Sequence, residues 1–375
     1  MIAIKGNIDK AEQELKQFLD CQPAEPLKRV VGVDYEVGRD FIKATQKNYA
    51  LSLQPQDGPI PKQPLPSNIL EVEDQSPVLT DPKEITKYRS DLGAYAYLAT
   101  TSRPDLIYSS TFFSRFSQQP TEFSVRILHA AMRYAQATAD VSLMIKKSNN
   151  DVLRLNCHVD ASFGSSTNIY PQTGFIVMNK NVPICWRSHK QKRVARSTTR
   201  AELLALEEAV DYLIYIKPFL ELFWTTVHLE VCTDSADVVH LLNSVHAKPS
   251  EKSLIHKIRE LHGKLIVVPL YALAESAKAD KIIVSHIPGT LNVADALTKP
   301  MDVSAIYKRL LPKSEFGPFE EDFEDEKKMT QTPPLADKSE IIRARKPTPH
   351  PFAKHRMELR TKEERQKPKR FIEEY

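Results

Sequence analysis

The chain has 375 residues, 52 basic and 48 acidic side chains, a net charge of +4 and a hydrophobic fraction of 41%. That length accommodates two domains and a tail, and the apolar content excludes a chain that is disordered throughout. The near-balance of charge excludes no nucleic-acid role, because nucleic acid responds to where charge lies rather than to its sum. No apolar run reaches the ~18 residues that a membrane span needs, and the N-terminus lacks signal-peptide architecture. None of the four cysteines (Cys21, Cys157, Cys185 and Cys232) stands in a CxxC spacing. They read as reduced thiols of a reducing compartment. The expectation is therefore a soluble protein of the cytoplasm, with a basic tail that offers a route to the nucleus, and no membrane partner.

In chain order, residues 1–53 predict a helix (Asp9 to Leu19), a strand (Val30 to Val37), a turn at Gly38 and a return strand (Phe41 to Ala44). A further helix is expected between Gln46 and Leu53. Residues 54–83 carry recurrent prolines and read as an exposed linker. Residues 84–148 carry helical periodicity. Tyr88, Leu92, Tyr95, Leu98 and Ala99 form one stripe, and Leu128, Ala131, Met132, Ala135 and Thr138 a second.

From Leu153 the period changes. Leu153, Leu155, Cys157 and Val159 alternate with polar neighbours, and strands follow at Thr173–Asn179 and Val182–Ser188. A long helix is expected from Thr199 to about Phe223, then a strand at Val227–Thr233. Helices are expected at Ala236–Ser244 and Ser253–Leu265, a strand at Lys281–Ile287, and a last helix from Asn292. The order βββαβααβα predicts an α/β domain over 151–312 with a mixed five-stranded sheet and helices on both faces. Residues 313–375 turn acidic and then basic, and read as a disordered tail. From Lys338 to Tyr375 there are twelve Lys or Arg against six Asp or Glu.

Four carboxylates stand out. Asp160 and Asp234 each end a strand, where α/β sheets gather ligands. Glu202 and Asp295 each fall at a helix start. Four hard oxygen donors brought together suit magnesium, and two such ions suit phosphodiester hydrolysis. Each acid also has a structural reading. Thr199 to Glu202 is a capping-box spacing, Asn292 to Asp295 is an N-cap followed by a first-turn acid, and Asp160 and Asp234 fit strand-end turns. Their joint occurrence, rather than any one of them, carries the metal reading.

Several motifs strengthen it. They are His158-Val159-Asp160-Ala161-Ser162-Phe163-Gly164, Thr173-Gly174-Phe175, Cys185-Trp186-Arg187-Ser188-His189-Lys190-Gln191 and Val194 to Glu202. Thr233-Asp234-Ser235 and Asn292 to Pro300 complete the set. In this order and spacing, the chain resembles the RNase H domain of copia-type (pseudovirus) retrotransposon Pol polyproteins. Tyr88-Arg89-Ser90, Tyr97-Leu98-Ala99 and Ser102-Arg103-Pro104-Asp105-Leu106 are similar to that family's connection segment. Residues 1–53 resemble the end of its reverse transcriptase, a small α+β remnant.

The resemblance implies an RNase H-like fold and a metal-dependent endoribonuclease that cuts the RNA strand of RNA–DNA hybrids. Asp160, Glu202, Asp234 and Asp295 would hold two Mg2+ ions, with Mn2+ as a substitute. Lys190, Gln191, Lys192, Arg193 and Arg196 form a basic run that suggests a phosphate-tracking surface, against the plain reading of a solvated loop. His286 invites the role of a catalytic assistant, against that of an ordinary strand residue. No Asp-Asp dipeptide occurs, so polymerase activity is not expected, and the chain reads as a downstream part of a polyprotein whose other parts are candidate partners. Two alternatives stay open: a catalytically silent, truncated or domesticated nucleic-acid-binding remnant, and a different nuclease or recombinase on the same sheet.

Overall fold

A computed structural model describes residues 13, 16, 17, 27–146, 151–163, 171–180, 182–193, 195, 197–245, 264–301 and 303. Cys21, Arg196, the tail from 313, and nearly all of the helices expected at 9–19 and 253–265 lie outside these residues.

Strands β1 (Arg29–Val30), β2 (Val33–Val37), β3 (Phe41–Thr45) and β4 (Leu143–Lys146) form an antiparallel sheet in that order. The single strand expected from Val30 to Val37 is interrupted. Val31 and Gly32 take φ of 48° and 67°, the left-handed pair that a two-residue hairpin requires. A Cβ at Gly32 would also lie 2.5 Å from the hydroxyl oxygen of Tyr97.

Helix α1 (Lys47–Ser52) matches the expected short helix. Helices α2 (Pro82–Thr101), α3 (Ile107–Ser114) and α4 (Glu122–Ala137) fill the periodic region. Asp81 caps α2 by accepting from the Lys83 backbone N–H, and Thr121 and Ser124 form a capping box on α4. Both predicted apolar stripes are buried, apart from the half-buried Thr138. The proline-rich segment differs from an exposed linker. Leu65 and Ile69 are buried in the core, and Arg133 of α4 donates to the carbonyls of Gln56 and Pro59.

The second sheet contains β5 (Val152–Ser162), β6 (Gln172–Asn179), β7 (Val182–Lys190), β8 (Thr226–Thr233) and β9 (Ile283–His286). Its order is β7-β6-β5-β8-β9, with β5, β6 and β7 antiparallel and β5, β8 and β9 parallel. This is the RNase H-like mixed sheet expected from the resemblance. Helices α5 (Thr198–Leu220), α6 (Ala236–Val245) and α7 (Lys264–Ala279) cover one face and share a core with Leu155, Val159, Phe175 and Val177. The other face packs into the upstream helices. Ile176 and Met178 of β6 join the core of Tyr95, Leu98 and Phe113. The Trp186 indole N–H donates to the Ala99 carbonyl at 2.8 Å, and the Thr111 hydroxyl donates to the Ser188 carbonyl at 2.9 Å. Among the described residues, no helix is long and apolar enough to cross a membrane.

The last expected helix is instead a 3₁₀ segment, Val293–Leu297. Asn292 starts it by accepting from the Ala294 N–H and donating to the Val159 carbonyl. The three described cysteines are free thiols.

The Arg103-Pro104-Asp105 motif has a structural explanation. Arg103 and Asp105 are 2% and 3% exposed. They pair through two bonds of 2.9 and 2.7 Å, and Arg103 also donates to the Thr138 carbonyl and hydroxyl. Removing one partner of such a pair leaves a buried charge uncompensated. Asp105→Ala is expected to lower stability by about 3–5 kcal/mol in urea denaturation. The double variant Arg103→Met/Asp105→Leu should lose clearly less.

Candidate metal centre

The acids meet at one end of β5. The parallel register sets Val159 beside Thr233, so Asp160 and Asp234, each the next residue, stand side by side. Asp160 lies within β5 rather than at its end and is only 2% exposed. Asp234 occupies the link between β8 and α6. Asp295 comes from the 3₁₀ segment that packs across β5 and β6. One carboxylate oxygen each from Asp160, Asp234 and Asp295 falls within 4.8 Å of the others.

The packing of that 3₁₀ segment depends on Gly174, which is paired with Asp160 across β5 and β6. A Cβ at Gly174 would lie 2.7 Å from Leu297 Cβ and 2.8 Å from Thr298 Cγ2. The missing side chain lets the segment settle on the sheet. There the Thr298 hydroxyl donates to Asp160 Oδ2, and the Ser188 hydroxyl donates to the Leu297 carbonyl.

Glu202 approaches from the opposite face, on α5. The helix is capped by Ser197, which accepts from the Arg200 N–H at 3.2 Å. Glu202 therefore lies beyond the first turn, and the capping box expected from Thr199 does not form. Freed from that role, the side chain turns toward the acids. Its Oε2 is buried without a hydrogen-bond partner. Burial, and after it the charges of Asp160 and Asp234, push the Glu202 carboxyl up to about 8. Burial and the Asp160 charge also raise Asp234 and Asp295, while Lys299 opposes both shifts.

Repelling, partly desolvated carboxylates of this kind are compensated by cations. Three convergent oxygens with an orphaned fourth acid beside them fit a hard divalent ion, which takes carboxylate oxygens and keeps waters. Asp160, Asp234 and Asp295 would hold it, with Glu202 beside them.

The remaining sequence candidates divide. Lys190, Lys192 and Arg193 are exposed. Gln191 is buried, and its amide donates to the Thr173 hydroxyl and the Ala201 carbonyl. It braces β6 to the start of α5 instead of facing solvent. His286 is an exposed strand residue paired with Thr233. Sequence reasoning missed Thr298 and Lys299 as site residues. The signal available was their place three and four positions after Asp295, one turn along.

No family model matches the chain. It is 27% identical over 314 residues to the retrovirus-related Pol polyprotein of transposon RE1 from Arabidopsis thaliana, covering 81% of this chain and 20% of that polyprotein. It is 27% identical over 212 residues to the Pol polyprotein of transposon TNT 1-94 from Nicotiana tabacum, covering 56% and 15%. Its homologues include retrovirus-related Pol polyproteins of copia-type transposons. The chain spans about a fifth of the length of the Arabidopsis Pol polyproteins. A solved structure of the N-terminal RNase H domain of a Mycobacterium tuberculosis protein is 17% identical, with a TM-score of 0.27, covering 42% of this chain and 99% of that one. RNase H1 from Halobacterium salinarum is 16% identical with a TM-score of 0.26, covering 39% and 94%.

Gly174→Ala tests the close approach. It is expected to cost about 1–3 kcal/mol in urea denaturation, as an overpacked core position does. It should also weaken Mn2+ binding, measured by titration calorimetry, because the displaced segment carries Asp295.

Proposed function

We propose that this chain is a metal-dependent endoribonuclease of the retrotransposon RNase H type, hydrolysing the RNA strand of RNA–DNA hybrids. The observation that carries the reading is the convergence of Asp160, Asp234 and Asp295, with the orphaned Glu202 oxygen beside them. The Pol polyprotein homologues support it. Residues 1–53 and 84–148 stand in this reading as the end of a reverse transcriptase and its connection, and 151–312 as the nuclease.

Two bound divalent ions would supply Lewis acidity and an activated water for the phosphodiester. The chain's own contribution is placement. Asp160 and Asp234 are fixed by strand register, and Asp295 by the Asn292 cap and the Gly174 contact. Glu202 is carried by α5, whose start is fixed by the Ser197 cap. The exposed Lys190, Lys192 and Arg193 offer charge for the hybrid's phosphates, and hybrid would be told from other duplexes by contacts to the 2′-hydroxyls of its shallow groove.

The full chain, incubated with Mg2+ or Mn2+, is expected to cleave an RNA–DNA hybrid and to leave double-stranded RNA intact. Asp160→Asn should reduce cleavage to background while leaving the far-UV circular dichroism spectrum unchanged. Hybrid binding without cleavage in the wild-type chain would favour a catalytically silent remnant, and cleavage that survives Asp160→Asn would overturn the assignment of the centre.

A further inference from the structure

One cation is already present among the acids. Lys299 Nζ lies 3.4 Å from Asp160 Oδ2 and 3.3 Å from Asp295 Oδ1. These separations are longer than the ~2.7–2.9 Å of a tight charge-assisted hydrogen bond. The ammonium thus bridges two carboxylates without closing fully on either. Its backbone is held nearby, because the Lys299 N–H donates to the Asp295 carbonyl at 3.0 Å. Its side chain is 45% exposed, whereas that of Asp160 is 3% exposed. Asp160 is therefore buried and the Asp295 side chain is 25% exposed, while the cation on them is tethered by a flexible stem with room to swing into solvent.

A divalent ion that took oxygens from both Asp160 and Asp295 would need the same space, at ligand distances of ~2.0–2.1 Å for magnesium. Two cations cannot share it. We infer that Lys299 is a built-in competitor for one metal position: it holds the Asp160–Asp295 pair together in the metal-free chain and yields that pair when the metal arrives. The inference rests on the metal-centre reading above and adds to it a residue that sets metal affinity. It accounts for how three carboxylates within 4.8 Å of one another can be assembled before any ion binds.

The test compares Mg2+ and Mn2+ titrations, by calorimetry, of the full chain and of Lys299→Gln, Lys299→Met and Lys299→Arg. Thermal midpoints are recorded with and without metal. The neutral variants are expected to bind metal about tenfold more tightly at one position, since a competing charge at contact range is gone. They should melt lower than wild type without metal and gain more on adding it. Lys299→Arg should stay near wild type in both. Metal binding by wild type with unchanged or weaker affinity in both neutral variants would overturn this inference and leave the metal centre standing. No metal binding by any of the four proteins would overturn the centre, and this inference with it. Lys299→Gln and Lys299→Met differ in hydrogen bonding but not in charge. A gain in only one of them would therefore also count against a charge-competition role.

Discussion

Mutual repulsion of buried carboxylates is the constraint around which this molecule is arranged. Asp160 sits almost wholly out of solvent, with Asp234 and Asp295 within 4.8 Å and Glu202 pressed in from the other face. Such a group of acids opposes folding unless its charge is compensated, because desolvation and like charge act in the same direction. The sequence meets the demand in three ways. Lys299 places an ammonium on the Asp160–Asp295 pair, the Thr298 hydroxyl donates to Asp160, and the Ala161 backbone N–H offsets part of the upward shift on Glu202. What these leave uncompensated is affinity for a divalent ion.

The framework follows from where the acids must stand. Strand β5 carries Leu155, Cys157 and Val159 into the core beneath α5, while His158 and Asp160 face the other way. That second face would be open in a bare sheet with helices on one side. Here the upstream helices and the 3₁₀ segment close it, through Ile176, Met178, Trp186 and Leu297. Asp160 is buried because both faces are covered. Part of that cover lies more than forty residues upstream in sequence, in α2 and α3. The segment before residue 151 is thus part of what covers the sheet face to which Asp160 points.

Much of this was legible beforehand, and the exceptions have physical reasons. The stripes of α2 and α4 and the alternation of β5 are periodic signals, and they placed core residues correctly. The four acids could be picked out because strand ends and helix starts are where one sheet edge gathers side chains, although Asp160 falls inside β5 and Glu202 lies beyond the first turn of α5. The cap of α5 could not be chosen among Ser197, Thr198 and Thr199, since all three hydroxyl residues suit the role. The choice of Ser197 decides whether Glu202 is spent on the backbone. Helix α7 contains Pro269, which reads as a breaker in isolation. The burial of Gln191 depends on its amide finding Thr173 and the Ala201 carbonyl, a tertiary match that no local pattern encodes. A basic neighbourhood therefore overstated what that residue offers to a ligand.

The Leu297-Thr298-Lys299 stretch shows why recognising a motif is not the same as assigning roles within it. These residues mark the resemblance, yet periodicity gives them no site character. Their positions explain them. Leu297 lies over Gly174, where a side chain would not fit, and its carbonyl accepts from Ser188. Thr298 reaches Asp160, and Lys299 reaches Asp160 and Asp295 together. One short segment thereby locks itself to β6 and β7, fixes the orientation of the most buried acid and sets a charge against that acid and Asp295. A substitution anywhere in it acts on geometry and electrostatics at once. For that reason the acids alone do not define this centre; the residues that hold them in register belong to it as well.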